Sequence, residues 1–193
     1  MSISKHSKTI FLDMDGVVAD FTGAVHKIFH YTPPHHSVKV PYDVEISMGV
    51  TEDAMWDTIY AYHVPFWSSL EVYPWAKELY AKLQEIAPVV FLTSPCRRGY
   101  SAMGKTEWLR IFTGDPEFRD YIITDRKHYC ARDNAVLVDD SPVKIRKFID
   151  KGGKGVLFPR QWNDGPVIEP EHLVQYTCDA VKWELGLSVD QPS

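Results

Sequence analysis

The sequence predicts an α/β fold, in which a doubly wound parallel sheet carries a small helical cap inserted after its first strand. Short apolar segments alternate with amphipathic segments of helical periodicity along most of the 193 residues. Residues 21–73 interrupt this alternation. Pairs of aspartates follow two of the apolar segments, and the carboxyl ends of parallel strands meet at one edge of a sheet. A candidate site is therefore expected at that edge, under the inserted segment.

Five apolar segments are predicted to be strands of the sheet. Short apolar runs bounded by turn residues are typical of parallel strands that are covered on both faces. The predicted strands are residues 9–14 (TIFLDM), 89–93 (VVFLT), 121–124 (YIIT), 135–138 (AVLV) and 155–158 (GVLF).

Amphipathic segments between and after these strands are predicted to be sheet-covering helices. In the first of them, Pro74 occupies a position that favours a helix start, and Trp75, Leu79 and Leu83 form an apolar stripe. The predicted helices are residues 74–87, 101–112, 142–150 and 172–185.

The interval 21–73 is interpreted as an insertion, because a direct strand-to-helix connection usually has only a few residues. It contains two weaker helical patterns, at residues 22–30 and 51–62, separated by the loop sequence YTPPHHSVKVP. We expect a helical cap over the strand ends. The predicted division is a core of residues 1–20 and 74–193 with a cap of residues 21–73.

The aspartate pairs indicate a metal site. Asp13 and Asp15 end the first strand, and Asp139 and Asp140 follow the fourth. If the fourth strand lies beside the first, these carboxylates meet, and their mutual repulsion requires a cation or a proton. Oxygen ligands favour a hard cation such as Mg²⁺.

Hydroxyl and lysine side chains near other strand ends are candidates for binding an anion. Thr93 and Ser94 end the second strand, where hydroxyls and backbone amides can contact phosphate oxygens. A transferred phosphoryl group also needs a cation. Lys127, after the third strand, and Lys105, in the helix after the second, both qualify, and the strand-end position favours Lys127.

These motifs resemble those of the haloacid dehalogenase-like (HAD) superfamily. DMDGVVAD is similar to its first motif, LTSP to the second, a lysine to the third and LVDDSP to the fourth. Within the superfamily the sequence most resembles the 5'(3')-deoxyribonucleotidases, through DMDGVVADF, TSP, GKTEWL, TDRK, VDDSP and FPRQWN.

The resemblance implies a Rossmann-like core and a Mg²⁺-dependent phosphatase that hydrolyses (deoxy)nucleoside monophosphates through an aspartyl-phosphate intermediate. Asp13 is then the nucleophile, and Asp15 the acid that protonates the leaving group and later activates water. The metal is held by Asp13, the carbonyl of Asp15 and Asp140, with Asp139 behind them or exchanging roles. The implied phosphate-binding residues are Thr93, Ser94, Lys127 and Lys105.

Aromatic residues of the insertion are the candidates for contacting a nucleobase. Phe21 follows the first motif, where the resemblance places an aromatic residue against the base. Trp56, Phe66 and Trp67 could add a stacking surface or form the cap's own small core. Arg126 could reach the base or phosphate, or simply be exposed.

Other functions remain open at this stage. The same chemistry could act on another small phosphoester or a 3'-phosphate of nucleic acid, or the chain could be a non-catalytic nucleotide-binding module. The net charge of −5 argues against duplex nucleic acid as a partner. No apolar stretch approaches a membrane span or a signal peptide, so we expect a cytoplasmic protein. A homodimer is compatible with the sequence.

Overall fold

The apolar segments form the expected parallel sheet. The computed structural model describes residues 8–35 and 37–188, and within them the sheet has five strands in the order β3–β2–β1–β4–β5, all parallel. The strands are β1 (Thr9–Leu12), β2 (Val89–Thr93), β3 (Tyr121–Ile123), β4 (Ala135–Asp139) and β5 (Lys154–Leu157). The predicted α/β fold class is confirmed, and β1 pairs with β4 as the metal-site prediction requires.

Helices occupy the four predicted sheet-covering segments and the insertion. Those of the insertion are α1 (Phe21–Ile28), α2 (Val44–Met48), α3 (Glu52–Ala61) and α4 (His63–Ser68). The others are α5 (Ala76–Ile86), α6 (Tyr100–Thr113), α7 (Pro142–Ile149) and α8 (Leu173–Glu184). None of the helices within the described ranges combines the length and apolar character that crossing a bilayer requires.

Helices cover both faces of the sheet, and successive strand residues point to opposite faces. Ile10 and Leu12 of β1 belong to a large apolar cluster with residues of α5, α6 and α8. Phe11, between them, joins a smaller cluster on the other face with Ile145 and Phe148 of α7. This two-sided packing explains why the strands have continuous apolar sequences.

The insertion begins and ends at neighbouring points in space. Asp20 N donates to Glu71 O at 2.8 Å, and Tyr73 N donates to Val18 O at 3.0 Å, so the two connections run side by side. Asp20 also caps α1, since its side chain accepts a hydrogen bond from Gly23 N. The division at residues 20 and 74 into core and cap stays a prediction.

Helix α4 was not expected from the sequence, and it packs closely against α6. The helix has only six residues, includes Pro65 and starts at His63, whose φ of 53° is unusual for a residue with a side chain. Gly104 permits the close approach, because a Cβ there would lie 2.4 Å from Trp67 Cβ. Tertiary packing therefore stabilises a segment that has little helical signal of its own.

Candidate active site

The predicted aspartates meet at the carboxyl edge of the two central strands. Asp13 directly follows β1, and its N–H donates to Val138 O of β4 at 2.9 Å. Asp139 ends β4, and Asp140 comes next. Asp13, Asp139 and Asp140 are all buried, and each offers one oxygen atom within 4.8 Å of those of the others. The register between β1 and β4 thus brings together acids that lie about 125 residues apart.

Lys127 lies between two of these acids. Its Nζ is 2.6 Å from Asp13 Oδ1 and 2.6 Å from Asp139 Oδ2, and all three side chains are buried. Burial by itself would raise the pKa of Asp13, but the charges of Lys127, Lys144 and Lys105 lower it to about 2. Asp13 is therefore a carboxylate at neutral pH, as a nucleophile must be.

Asp140 is held by the loop that follows β5. Its Oδ2 accepts a hydrogen bond from Trp162 Nε1 at 2.6 Å, and its carbonyl accepts one from Asn163 Nδ2 at 2.8 Å. Burial, with the charges of Asp139 and Asp13, raises the pKa of Asp140 to about 7. This raised pKa reports negative charge that the neighbouring lysines only partly balance.

The arrangement fits a divalent cation bound between Asp13 and Asp140. Asp13 Oδ1 contacts Lys127, and Asp13 Oδ2 has no hydrogen-bond partner in the described part of the chain. Asp139 is already engaged, because its Oδ2 contacts Lys127 and its Oδ1 accepts from Ser141 N at 2.9 Å. Asp13 and Asp140 thus have lone pairs available for a hard ion, while Asp139 positions the lysine.

Lys105 connects Asp15 with the second strand end. Its buried Nζ is 2.5 Å from Asp15 Oδ2, 2.9 Å from Thr93 Oγ1 and 2.6 Å from Ser94 O. Gly16 makes the turn after Asp15 with a φ of +76°, and a Cβ there would lie 2.3 Å from Asp140 Oδ2. Glycine is required at this position both for the left-handed backbone and for the space beside Asp140.

A cleft of about 670 Å³ opens above these groups. Several predicted site residues line it, namely Asp13, Asp15, Ser94, Lys105, Asp140, Phe21, Trp56 and Trp67. Thr93, Lys127 and Asp139 lie behind them, fully or almost fully buried.

Two predicted substrate-binding residues are not among the described residues that line the cleft. Phe66 is buried in the insertion, where its ring meets those of Phe21 and Trp67 edge to face. Arg126 is exposed, and its Nη1 donates to Tyr129 Oη at 3.1 Å. Phe66 packs within the insertion and Arg126 is exposed, and their predicted contacts with a substrate stay predictions.

Part of the cleft wall is aromatic. Phe21 stacks on Trp67 with ring centroids 5.7 Å apart and an interplanar angle of 17°, and Trp56 lies 6.1 Å from Phe21. Phe21 and Trp56 are half-buried, so part of each ring faces the cleft.

The outer part of the cleft is mostly acidic, with Arg97 and Arg98 facing the acids of the insertion. Those acids are Asp43, Glu45, Glu52, Asp53 and Asp57.

Three residues at the acid cluster were missed at the level of sequence. Lys144 lies in the first turn of α7, five residues after Asp139, with its Nζ 3.8 Å from Asp13 Oδ2. Trp162 and Asn163 belong to FPRQWN, a string noted for its similarity but given no role. The sequence could have indicated these residues, because both segments directly follow a predicted strand and therefore start at the same edge of the sheet.

The family described as "5' nucleotidase, deoxy (Pyrimidine), cytosolic type C protein" matches residues 7–165. No curated protein sequence matches the chain significantly.

Solved structures with a similar fold are HAD-like hydrolases. The HAD hydrolase YfnB from Bacillus subtilis, solved with bound magnesium, has a TM-score of 0.53 at 15% identity, over 86% of this chain and 92% of that one. A haloacid dehalogenase-like hydrolase from Xanthomonas campestris has a TM-score of 0.53 at 13% identity, over 92% of this chain and 94% of that one. At these identities the likeness establishes the fold.

Proposed function

The chain belongs to the family of deoxy (pyrimidine), cytosolic type C 5' nucleotidases, and we propose that it hydrolyses (deoxy)nucleoside monophosphates with Mg²⁺ through an aspartyl-phosphate intermediate. Family membership makes the chain a phosphatase; the substrate, the ion and the residue roles are the proposal. The observation that carries it is the Asp13 carboxylate, which is buried, ionised, borders the cleft and keeps Oδ2 without a hydrogen-bond partner within the described residues.

In the first half-reaction, an oxygen of Asp13 attacks phosphorus while the bond from phosphorus to the nucleoside oxygen breaks. Asp15 gives its proton to that leaving oxygen. Its position supports this role, because it borders the same cleft and its side chain is partly exposed. Lys105 holds one Asp15 oxygen, which fixes the direction of the other.

In the second half-reaction, Asp15 takes a proton from water. The water oxygen attacks phosphorus, the bond to Asp13 breaks, and inorganic phosphate leaves. Lys127 keeps Asp13 ionised so that it can act again, and Asp139 holds Lys127 in place.

Thr93 and Lys105 stabilise the phosphate-binding turn, and Ser94 offers its hydroxyl to a phosphate oxygen. Ser94 Oγ is buried without a hydrogen-bond partner among the described residues, which supports this role.

Asp13, Asp140 and the backbone carbonyl of Asp15 are the proposed ligands of Mg²⁺. When bound, the ion reduces the repulsion between the anionic nucleophile and the anionic phosphate. The magnesium in the Bacillus subtilis structure supports this choice of ion. Trp162 donates to Asp140 Oδ2 and Asn163 donates to the Asp140 carbonyl, so these residues would orient Asp140 as a ligand of the ion.

The shape and charge of the cleft support a mononucleotide as substrate. Phe21, Trp56 and Trp67 offer aromatic surface in the same cleft that Asp13 and Asp140 border. The predominantly acidic outer part of the cleft would repel the backbone of a nucleic acid. These features disfavour the alternative substrate, a 3'-phosphate end of nucleic acid.

The proposal extends to location and partners. The family description includes the word cytosolic, which supports the cytoplasm as the location. The expected partner is a small nucleotide rather than duplex nucleic acid or a membrane, and a homodimer stays a prediction.

A phosphatase assay with a panel of substrates tests the proposal. The panel contains dUMP, dTMP, the corresponding ribonucleotides, sugar phosphates and a 3'-phosphorylated oligonucleotide. We expect phosphate release from the nucleoside monophosphates, its loss with EDTA and its return with Mg²⁺. Efficient cleavage of sugar phosphates alone would contradict the nucleotide assignment. No turnover of any compound would instead favour the non-catalytic binding module.

A further inference from the structure

The lysines around Asp13 differ in how many of their hydrogen-bond donors are already used. Lys105 contacts Asp15, Thr93 and Ser94, so its three N–H groups all have acceptors. Lys127 is held between Asp13 and Asp139 at 2.6 Å from each. Both side chains are almost completely buried, with exposed fractions of 1% and 2%. Their charges are therefore committed to carboxylates of the protein.

Lys144 is in a different position. Its side chain is 31% exposed and borders the cleft, and its Nζ lies 3.8 Å from Asp13 Oδ2. At that distance the contact is an ion pair and too long for a hydrogen bond, so among the described groups its donors remain available for a ligand. The neighbouring α7 residues Ile145 and Phe148 are buried, which fixes the helix and directs Lys144 to the edge of the sheet.

We propose that Lys144 binds a non-bridging oxygen of the phosphate, both in the substrate and in the released product. This inference rests on the proposed function, because it concerns the same phosphate at the same nucleophile. The phosphoryl group that Asp13 attacks must come within bonding distance of that carboxylate, which also brings its oxygens close to the ammonium group. The lysines predicted from the sequence, Lys127 and Lys105, then keep Asp13 and Asp15 in place while Lys144 contacts the ligand.

Binding of inorganic phosphate in the presence of Mg²⁺ tests the role of Lys144 without any nucleotide. Isothermal titration calorimetry compares the wild type with Lys144→Met, Lys144→Gln and Lys144→Arg. Lys147→Met is the matched control, because Lys147 lies on the same helix, carries the same charge and is exposed. We expect phosphate affinity to fall about tenfold or more in both neutral variants, the loss typical of one charge-assisted hydrogen bond. Lys144→Arg should keep most of the affinity, and Lys147→Met should match the wild type.

The same titrations repeated with Mg²⁺ alone separate this role from a different one. If the neutral variants bind Mg²⁺ more tightly and phosphate unchanged, Lys144 fills the cation site instead, and the inference is overturned. Equal phosphate affinity in Lys144→Met and Lys147→Met, or no phosphate binding by the wild type, would also overturn it. Circular dichroism checks that each variant is folded.

If the proposed function is wrong and the role of Lys144 is right, the two kinds of experiment will disagree. In that case the wild type would hydrolyse no nucleotide, yet phosphate binding would still depend on Lys144.

Discussion

The two sides of the cleft are built in different ways. The inner side consists of aspartates at the ends of β1 and β4, where strand pairing fixes the backbone, and of lysines that reach them from α6, α7 and the segment after β3. The outer side consists of aromatic rings carried by α1, α3 and α4, whose positions depend on side-chain packing. The comparison suggests that the sheet determines the chemistry and the insertion determines which molecule is accepted. Substitutions on the two sides should therefore have different effects.

On the inner side, loss of one charge should impair both folding and catalysis. Lys127→Met removes the cation between Asp13 and Asp139 and leaves their buried charges without compensation. We expect the free energy of unfolding to fall by about 3–5 kcal/mol. Urea denaturation without metal measures this, and phosphatase activity should fall at the same time.

The matched control for Lys127→Met is Lys147→Met, which removes an exposed lysine. Its free energy of unfolding should stay within about 0.5 kcal/mol of the wild-type value. Equal stabilities of the two variants would show that the buried ion pairs around Lys127 contribute nothing to folding.

A smaller effect, on the affinity for Mg²⁺, is expected from a change of Trp162, which acts on the site through Asp140. Trp162→Phe keeps most of the ring but removes the N–H that donates to Asp140 Oδ2. We expect the affinity for Mg²⁺ to fall about tenfold, as is usual when a group that orients a metal ligand is removed. Calorimetric titration with Mg²⁺ measures this, and the unfolding midpoint checks stability. Unchanged affinity would mean that the indole does not orient Asp140.

On the outer side, a substitution should change substrate binding and leave the chemical step intact. Trp56→Ala removes a half-buried ring from the cleft wall. We expect KM for dUMP to rise about tenfold, since stacking on a base contributes roughly 1–3 kcal/mol. KM for acetyl phosphate, which has no ring, should stay the same.

The contrasting variant on that side is Phe66→Leu. Phe66 packs inside the insertion, outside the residues that line the cleft, so its loss should lower stability and leave KM for dUMP unchanged. If Phe66→Leu raised KM as much as Trp56→Ala did, the aromatic wall would not be a specific contact surface.

The smallest expected effect concerns pH and the stability of the insertion. Burial lowers the pKa of His26 in α1 below its ordinary value near 6.5, and the charge of Asp20 only partly opposes this. The unfolded chain thus binds a proton more readily than the folded one, so His26 lowers stability as pH falls through about 6.5 and below. His26→Gln should weaken the pH dependence of the unfolding midpoint between pH 7 and 5. An unchanged dependence would show that His26 titrates equally in both states.

The same contrast explains what could be predicted from the sequence. Asp13, Asp15 and the Asp139–Asp140 pair each follow an apolar strand, so their convergence required only the order of the strands. Lys127 was predicted to bind phosphate, which stays a prediction, and the structure places it in contact with Asp13 and Asp139. Strand position indicated where it lies, but its hydrogen-bond partners depend on tertiary geometry.

The insertion was harder to predict. Helix α2 has five residues and α4 has six, lengths at which periodicity carries little information. The aromatic residues could equally have formed a core or a wall, and the structure divides them between Phe66 on the inside and Trp56 at the cleft. Tertiary packing of α3 and α4 decides which ring faces outward, and periodicity does not encode that packing.

The most direct test of the central claim is to trap the phosphorylated enzyme. The protein is mixed with Mg²⁺ and dUMP, quenched in acid within the first turnover, digested and examined by mass spectrometry. The account predicts one phosphoryl group on the peptide that contains Asp13, absent in Asp13→Asn and absent when EDTA is present. Hydrolysis of dUMP without a phosphorylated aspartate, or with the phosphoryl group on another residue, would contradict it.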